Sequence, residues 1–348
     1  MNRLPTIRDV AKYARVSPTT VSCILNHKLN FNFSKTTVER INKAIEELGY
    51  SPNNMVKSLQ NGKTNTIGLG YFKIPNLSEM FQYIINAVSE KSDYDVMFYL
   101  GEKVIRGTDI VNPIKFLDGR IDGVIFNESL RQNASEYLGK KNFPTVVLLK
   151  SNVPDGVASA NSDYYEIACK AVKYLWSLGH RNIAHLAANV NDWEDALRTM
   201  QGYAFTMKKN NPGFNDDWLF IRNSVDTSLL GKTLEKWLAM PAKIRPTAIF
   251  TDMPAGAKLL EIAPAKGIKV PEDISIMCVG NCYDRYAHLT PRLSSFTVSQ
   301  TKIAEYAVSS LIAIINGENP EDWRTFVPYG FIAGETVTKL RKKKGNEY

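Results

Sequence analysis

The stretch that decides the fold runs Thr6-Ile7-Arg8-Asp9-Val10-Ala11-Lys12-Tyr13-Ala14, breaks at Arg15-Val16-Ser17, and resumes as Pro18-Thr19-Thr20-Val21-Ser22-Cys23-Ile24-Leu25-Asn26. Each half makes about two helical turns, too short to be stable alone in water. Val10, Ala11 and Ala14 recur at helical spacing, as do Val21, Ile24 and Leu25. Thr6 with Asp9 three residues on reads as an approximate capping box, and Ser17 as an N-cap with Pro18 at the first helical position. A third segment starts at Ser34, carries Val38, Ile41, Ala44, Ile45 and Leu48, and stops at Gly49. Three short amphipathic helices around one core make a helix-turn-helix unit, whose second helix suits the DNA major groove. A generic three-helix bundle uses the same apolar spacing and stands as the alternative.

Charge adds an independent observation. Residues 1–65 carry ten Lys and Arg against four Asp and Glu, and the run Arg341-Lys342-Lys343-Lys344 with Glu347 adds three positive charges. The whole chain is +8, so residues 66–340 sit near −1. Basic charge concentrated on a small N-terminal unit is the footprint of a phosphate-binding module. The tail alone says less, because terminal charge runs are usually just solvated.

Thr6 to Leu59 resembles the lactose-repressor (LacI/GalR) family. The shared positions are Thr6-Ile7, Asp9-Val10-Ala11, Ala14, Val16-Ser17, Thr20-Val21-Ser22, Leu25-Asn26 and Glu47-Leu48-Gly49-Tyr50-Ser51-Pro52-Asn53. The resemblance implies that Thr6, Ser17, Thr20, Ser22 and Asn26 bind phosphates, while Pro18, Thr19 and Cys23 read base edges. Two departures stand out. Arg15 replaces the family's frequent turn glycine, so a left-handed backbone there would cost about 1 kcal/mol. Cys23 replaces a frequent arginine and loses a bidentate guanine contact. In the same resemblance, residues 52–65 are a hinge helix and linker in which Asn53 precedes the helix, Leu59 wedges into the minor groove and kinks it, and Val56 replaces a usual alanine. A plain flexible linker is the simpler reading of that segment.

At 348 residues the chain is too long for one ordinary core. The expected order is a headpiece at 1–51, the hinge at 52–65, an effector-binding and dimerisation body at 66–340, and a basic tail at 341–348. Strands are expected at Ile67-Gly68-Leu69, Gly123-Val124-Ile125-Phe126, Val146-Val147-Leu148-Leu149, Ile183-Ala184-His185-Leu186, Thr247-Ala248-Ile249-Phe250 and Ile274-Ser275-Ile276-Met277. Short β-branched runs separated by helical patterns argue for an α/β body with parallel sheets covered on both faces. The resemblance continues through Arg120-Ile121-Asp122-Gly123, Leu178-Gly179-His180-Arg181, Gly202-Tyr203, Arg245-Pro246-Thr247 and Val270-Pro271-Glu272-Asp273. It implies a two-lobed body like periplasmic sugar-binding proteins, with lobe 1 at about 66–160 and 291–325 and lobe 2 at about 161–290 and 326–340. It also implies a homodimer gripping a pseudo-palindromic double-stranded operator, as a transcription regulator of the repressor kind.

The expected effector cleft departs from that family's sugar-binding members. Their Arg, Asn-Asp and Asp positions are here Thr199 (with Arg198 beside it), Thr251-Asp252 and Val279-Gly280-Asn281. Sugar hydroxyls need forked or charged partners to replace water, so a sugar, another small molecule and no effector at all remain open. The candidate effector residues are Tyr71, Phe72, Arg198, Thr199, Asp252 and Asn281, with Trp193 and Tyr283 as further aromatics. No cofactor, metal site or catalytic residue is expected. The four histidines lack metal spacing, the four cysteines form no CxxC pair, and no P-loop, GxGxxG or GxSxG sequence occurs. With no export signal and no apolar run near 18 residues, a cytoplasmic protein that is not an enzyme is expected. A freestanding cytoplasmic small-molecule-binding protein is the alternative function.

Overall fold

The computed structural model describes residues 5–25, 33–51, 62–71, 77–100, 112–128, 133–191, 193–222, 225–280 and 283–340. The chain forms two compact units, residues 1–64 and 65–348.

In the first unit, α1 (Ile7–Ala14), α2 (Pro18–Leu25) and α3 (Lys35–Leu48) enclose Val10, Ala11, Ala14, Val21, Ile41 and Ala44. The caps follow the sequence. The Asp9 carboxylate accepts from the Thr6 N–H at 2.7 Å and from its hydroxyl at 2.6 Å. Ser17 Oγ accepts the Thr20 N–H at 3.0 Å, and Ser34 Oγ accepts that of Thr37 at 3.3 Å. Gly49 closes α3 at φ 58°. The turn after α1 does need a left-handed residue, and Arg15 supplies it at φ 54°, ψ 48°.

The second unit holds two six-stranded sheets. Its strands are β1 (Thr66–Tyr71), β2 (Asp95–Leu100), β3 (Gly123–Asn127), β4 (Thr145–Leu148), β5 (Ala158–Asn161), β6 (Ile183–Ala187), β7 (Leu219–Ile221), β8 (Ala248–Asp252), β9 (Ser275–Gly280), β10 (Ser294–Val298), β11 (Arg324–Phe326) and β12 (Tyr329–Ile332). The first sheet has the order β11-β5-β4-β3-β1-β2, and every pairing is parallel. The second runs β12-β10-β9-β8-β6-β7, parallel except for the β10–β12 pair. The body helices are α4 (Leu77–Lys91), α5 (Ala134–Lys140), α6 (Tyr164–Ser177), α7 (Glu194–Asn210), α8 (Thr227–Leu238), α9 (Met253–Ile262), α10 (Tyr283–Tyr286) and α11 (Gln300–Ile315). Strands β3, β4 and β6 are buried at every residue, as parallel strands covered on both faces must be.

All six expected strands are present. The lobe boundary expected at 290–291 is corrected: β10 pairs with β9 and β12, so residues 294–298 belong to the second sheet and the chain crosses back after Val298. Helix α11 then lies against β3, β4, β5 and α4 of the first lobe. One buried cluster runs through both lobes, from Ile67 and Leu69 to Phe250 and Ile276.

Candidate nucleic-acid interface and effector pocket

On the first unit, α2 presents its N-terminal turn outward. Ser17, Pro18 and Thr19 are exposed, and Thr20 is half-buried with its hydroxyl 2.8 Å from Ser17 Oγ. Ser22 and Thr6 are also half-buried. These are the residues of a recognition helix that ordinarily approach base edges or phosphates. Cys23, the third expected base-reading residue, is only 8 % exposed, unlike Pro18 and Thr19 in the first turn of the same helix. Asn26, Asn53, Val56 and Leu59 lie outside the described residues.

In the second unit, a cavity of about 230 Å³ opens at the carboxyl ends of β6, β8 and β9. The sheet order reverses between β6 and β8, and such a switch point is where open α/β sheets bind ligands. Trp193, Met253, Pro254 and Leu186 give it apolar walls, and Leu149 reaches it from the first lobe. Tyr164 lines it too, together with one histidine and two carboxylates: His185, Asp195 and Asp252.

Each of these last three is held in a defined state. Asp252 caps α9, its Oδ1 accepting the Ala255 N–H at 2.9 Å, while Oδ2 pairs with Arg222 just past β7. Burial pushes the Asp252 carboxyl up against the opposing pull of Arg222. Asp195 stands in the first turn of α7, accepts the Ala196 N–H at 2.9 Å, and has no cation beside it among the described residues. Burial, with the nearby Asp252 and Glu194 charges, pushes it up to about 6. His185 is 2 % exposed, and its Nδ1 lies 2.9 Å from the Phe250 carbonyl. That carbonyl can only accept, so Nδ1 carries the proton. Burial holds the ring's pKa down to about 4, so the ring is neutral and Nε2 is an acceptor without a partner among the described residues. The Arg222 Nε–H is likewise buried without one.

Beside the cavity, Glu194 joins the lobes: its carboxylate accepts the N–H groups of Ser151 at 3.0 Å and Asn152 at 3.3 Å. In the first lobe, the buried Glu128 pairs with Lys150 at 2.5 Å and accepts from Ser135. That lysine's charge is thereby answered within its own lobe.

Of the expected effector residues, Thr199 and Asp252 line the cavity, as does Trp193. Arg198 is not among the cavity-lining residues; its guanidinium lies 5.2 Å from the Tyr165 ring centre, on the contact between α6 and α7. Tyr71 is the last residue of β1, and Phe72 and Asn281 lie outside the described residues. Sequence reasoning missed three residues. His185 carried a signal, a polar side chain inside a wholly apolar strand. Asp195 is an acid in the first turn of a helix, a common placement that carries no signal of its own, and Arg222 follows a strand of three residues that was not expected.

The family described as bacterial regulatory proteins, lacI family, matches residues 6–53, and the periplasmic binding protein-like domain matches residues 172–337. The probable HTH-type transcriptional repressor ExuR of Bacillus subtilis is 28 % identical over 96 % of this chain and 99 % of its own. The repressor PurR of Vibrio campbellii is 28 % identical over 97 % of this chain and all of its own, and catabolite control protein A of Priestia megaterium 27 % over 93 % and 96 %. The solved lac repressor dimer bound to operator and the anti-inducer ONPF shares the fold, with a TM-score of 0.80 at 20 % identity over 97 % of this chain and all of that one. The regulator CelR in complex with cellobiose gives 0.67 at 21 % identity, over 96 % of this chain and all of that one. The capped helix pair, the two-sheet body and the matches along the chain lead to one conclusion: a DNA-binding domain of the lacI family at residues 6–53 is joined to a periplasmic binding protein-like domain at residues 172–337, in a chain similar over nearly its full length to transcription repressors.

Proposed function

We propose that this chain is a cytoplasmic transcription repressor that binds a pseudo-palindromic operator as a homodimer and answers to a small molecule in the strand-end cavity. The observation that carries the first half is the α1–α2 turn, with Ser17, Pro18 and Thr19 exposed on a unit rich in positive charge. Phosphate contacts from such a unit supply salt-sensitive affinity, and the few base-edge contacts supply choice. The relatives are named repressors, and the solved lac repressor is a dimer on its operator. Two edge strands support self-association here. Phe98 on β2 is 50 % exposed and Ile221 on β7 is 43 % exposed, and exposed apolar side chains on sheet edges are ordinarily covered by a partner.

For the second half, the cavity offers apolar walls with a few convergent polar groups, the usual make-up of a small-molecule site. Glu194 is bonded to the first lobe, while its neighbours Trp193, Asp195 and Ala196 line the cavity. Occupancy is thereby coupled to the lobe–lobe contact. Leu59 is the proposed minor-groove wedge. Selection from a random duplex pool tests the reading: the enriched sequences should be two inverted half-sites, and Leu59→Ala should lower operator affinity while sparing salt-sensitive binding to mixed DNA. Enrichment of no palindrome refutes the dimeric reader, and an equal loss on both DNAs refutes the wedge.

A further inference from the structure

Resting on the effector-pocket reading above, we propose that the effector is a small organic cation, a protonated amine on a compact and partly apolar body, bound by Asp195 and His185. Among the described residues, the cavity is lined by two carboxylates, a neutral histidine and Tyr164, with no Lys or Arg. The nearby cations are already committed. Arg222 is paired with Asp252, Lys150 with Glu128, and Arg198 stacks on Tyr165.

The places an anion would ordinarily choose are also filled. Helix N-termini attract anions, and two open on this cavity, those of α7 and α9. The chain's own carboxylates occupy both: Asp195 accepts from Ala196, and Asp252 from Ala255. A ligand carboxylate or phosphate would meet Asp195 and Asp252 with no free cation among the described residues to answer it.

What the cavity wall lacks is a donor for His185. Its Nε2 is a buried lone pair, fixed as an acceptor by the Nδ1 contact to Phe250. Leaving such an atom unpaired is costly. Asp195 is the lining carboxylate with no cation among the described residues, and a ligand ammonium supplies both the missing charge and the missing N–H groups. Trp193 adds an aromatic wall, a surface that favours cations and flat apolar bodies. The raised pKa of Asp195 agrees with this, since it records an uncompensated charge that a bound cation would relieve.

The test uses the full-length protein and calorimetric titration with the monoamines glucosamine, galactosamine, tyramine and phenethylamine. Each amine is paired with its neutral N-acetyl form and with a carboxylate of matching size, such as glucuronate for glucosamine. At pH 7.5 at least one amine should bind ten-fold or more tightly than both counterparts and lose that margin in Asp195→Asn. In wild-type protein its affinity should also fall as pH drops below about 6, where Asp195, flanked by Asp252 and Glu194, takes up its proton. A neutral or anionic counterpart that binds equally well, with binding lost in Asp252→Ala, overturns the cation assignment and leaves the effector site standing. No binding by any of the amines or their counterparts overturns the proposal and removes the support for the site itself.

Discussion

Arg15 carries a conformational cost that its side chain alone announces. The turn after α1 needs a left-handed backbone, and the residue there is not the glycine that would adopt it freely. Arg15→Gly should therefore stabilise the first unit by up to about 1 kcal/mol, after the extra chain entropy of glycine is subtracted. Chemical denaturation followed by helix signal measures it, and a destabilised unit contradicts the strain. His185 and Asp195 make a second residue-scale prediction, because their shifts pull stability in opposite directions. His185 is lowered from 6.5 to about 4, so its contribution is present above 6.5 as a cost on protonation, and native stability is lost as pH falls toward 4. Asp195 is raised from 3.8 to about 6, so its contribution is present below 3.8 and is lost as pH rises through 6. Each shift corresponds to about 3 kcal/mol at most. Asp195→Asn should raise Tm at pH 7 and make stability fall more steeply between pH 6.5 and 4, since the arm that opposes His185 is then removed. A lower Tm at pH 7 would show that the Asp195 charge is compensated by a group other than those described.

At the scale of elements, α7 does the most to build the pocket. It brings Glu194 to the lobe contact and Asp195, Ala196 and Thr199 to the cavity wall. Its position is set by Gly202, where a Cβ would fall well inside van der Waals contact of the Tyr165 carbonyl oxygen on α6. The sequence showed Gly202-Tyr203 only as a family likeness, and the close helix approach is its physical reason. Gly202→Ala should push the two helices apart, cost about 1–3 kcal/mol in unfolding free energy, and weaken effector binding through the displaced α7 N-terminus. Wild-type stability in that variant would refute the close contact. Which elements were legible in the sequence follows from their chemistry. Strands β3, β4 and β6 were legible because burial on both faces demands unbroken apolar runs. Strand β10, Ser294-Ser295-Phe296-Thr297-Val298, has no such run, so its membership of the second sheet was hidden and the lobe boundary was misplaced. The caps of α1 to α3 were legible because they are local, whereas the Arg222–Asp252 pair joins positions thirty residues apart and no spacing announces it.

At the scale of the molecule, the sequence separates a basic N-terminal segment from a near-neutral body, and the structure forms two compact units that divide after residue 64. The class of protein was readable from the first fifty residues. Which face of α2 touches DNA was less so, because the burial of Cys23 depends on packing that helical periodicity alone does not resolve. Family likeness pointed to a cleft, but of its usual sugar-gripping side chains only Asp252 is kept, and His185 on β6 and Asp195 at a helix start line the cavity beside it. Residues 1–64 are what should confer DNA binding on this body. The measurement that tests this most directly is the affinity for duplex DNA across a salt series, for the full chain and for residues 65–348. The full chain should bind with log K falling steeply and linearly against log salt, and the truncated chain should lose both the affinity and the slope. If residues 65–348 retain both, the body is the DNA-binding part and the regulator account is wrong.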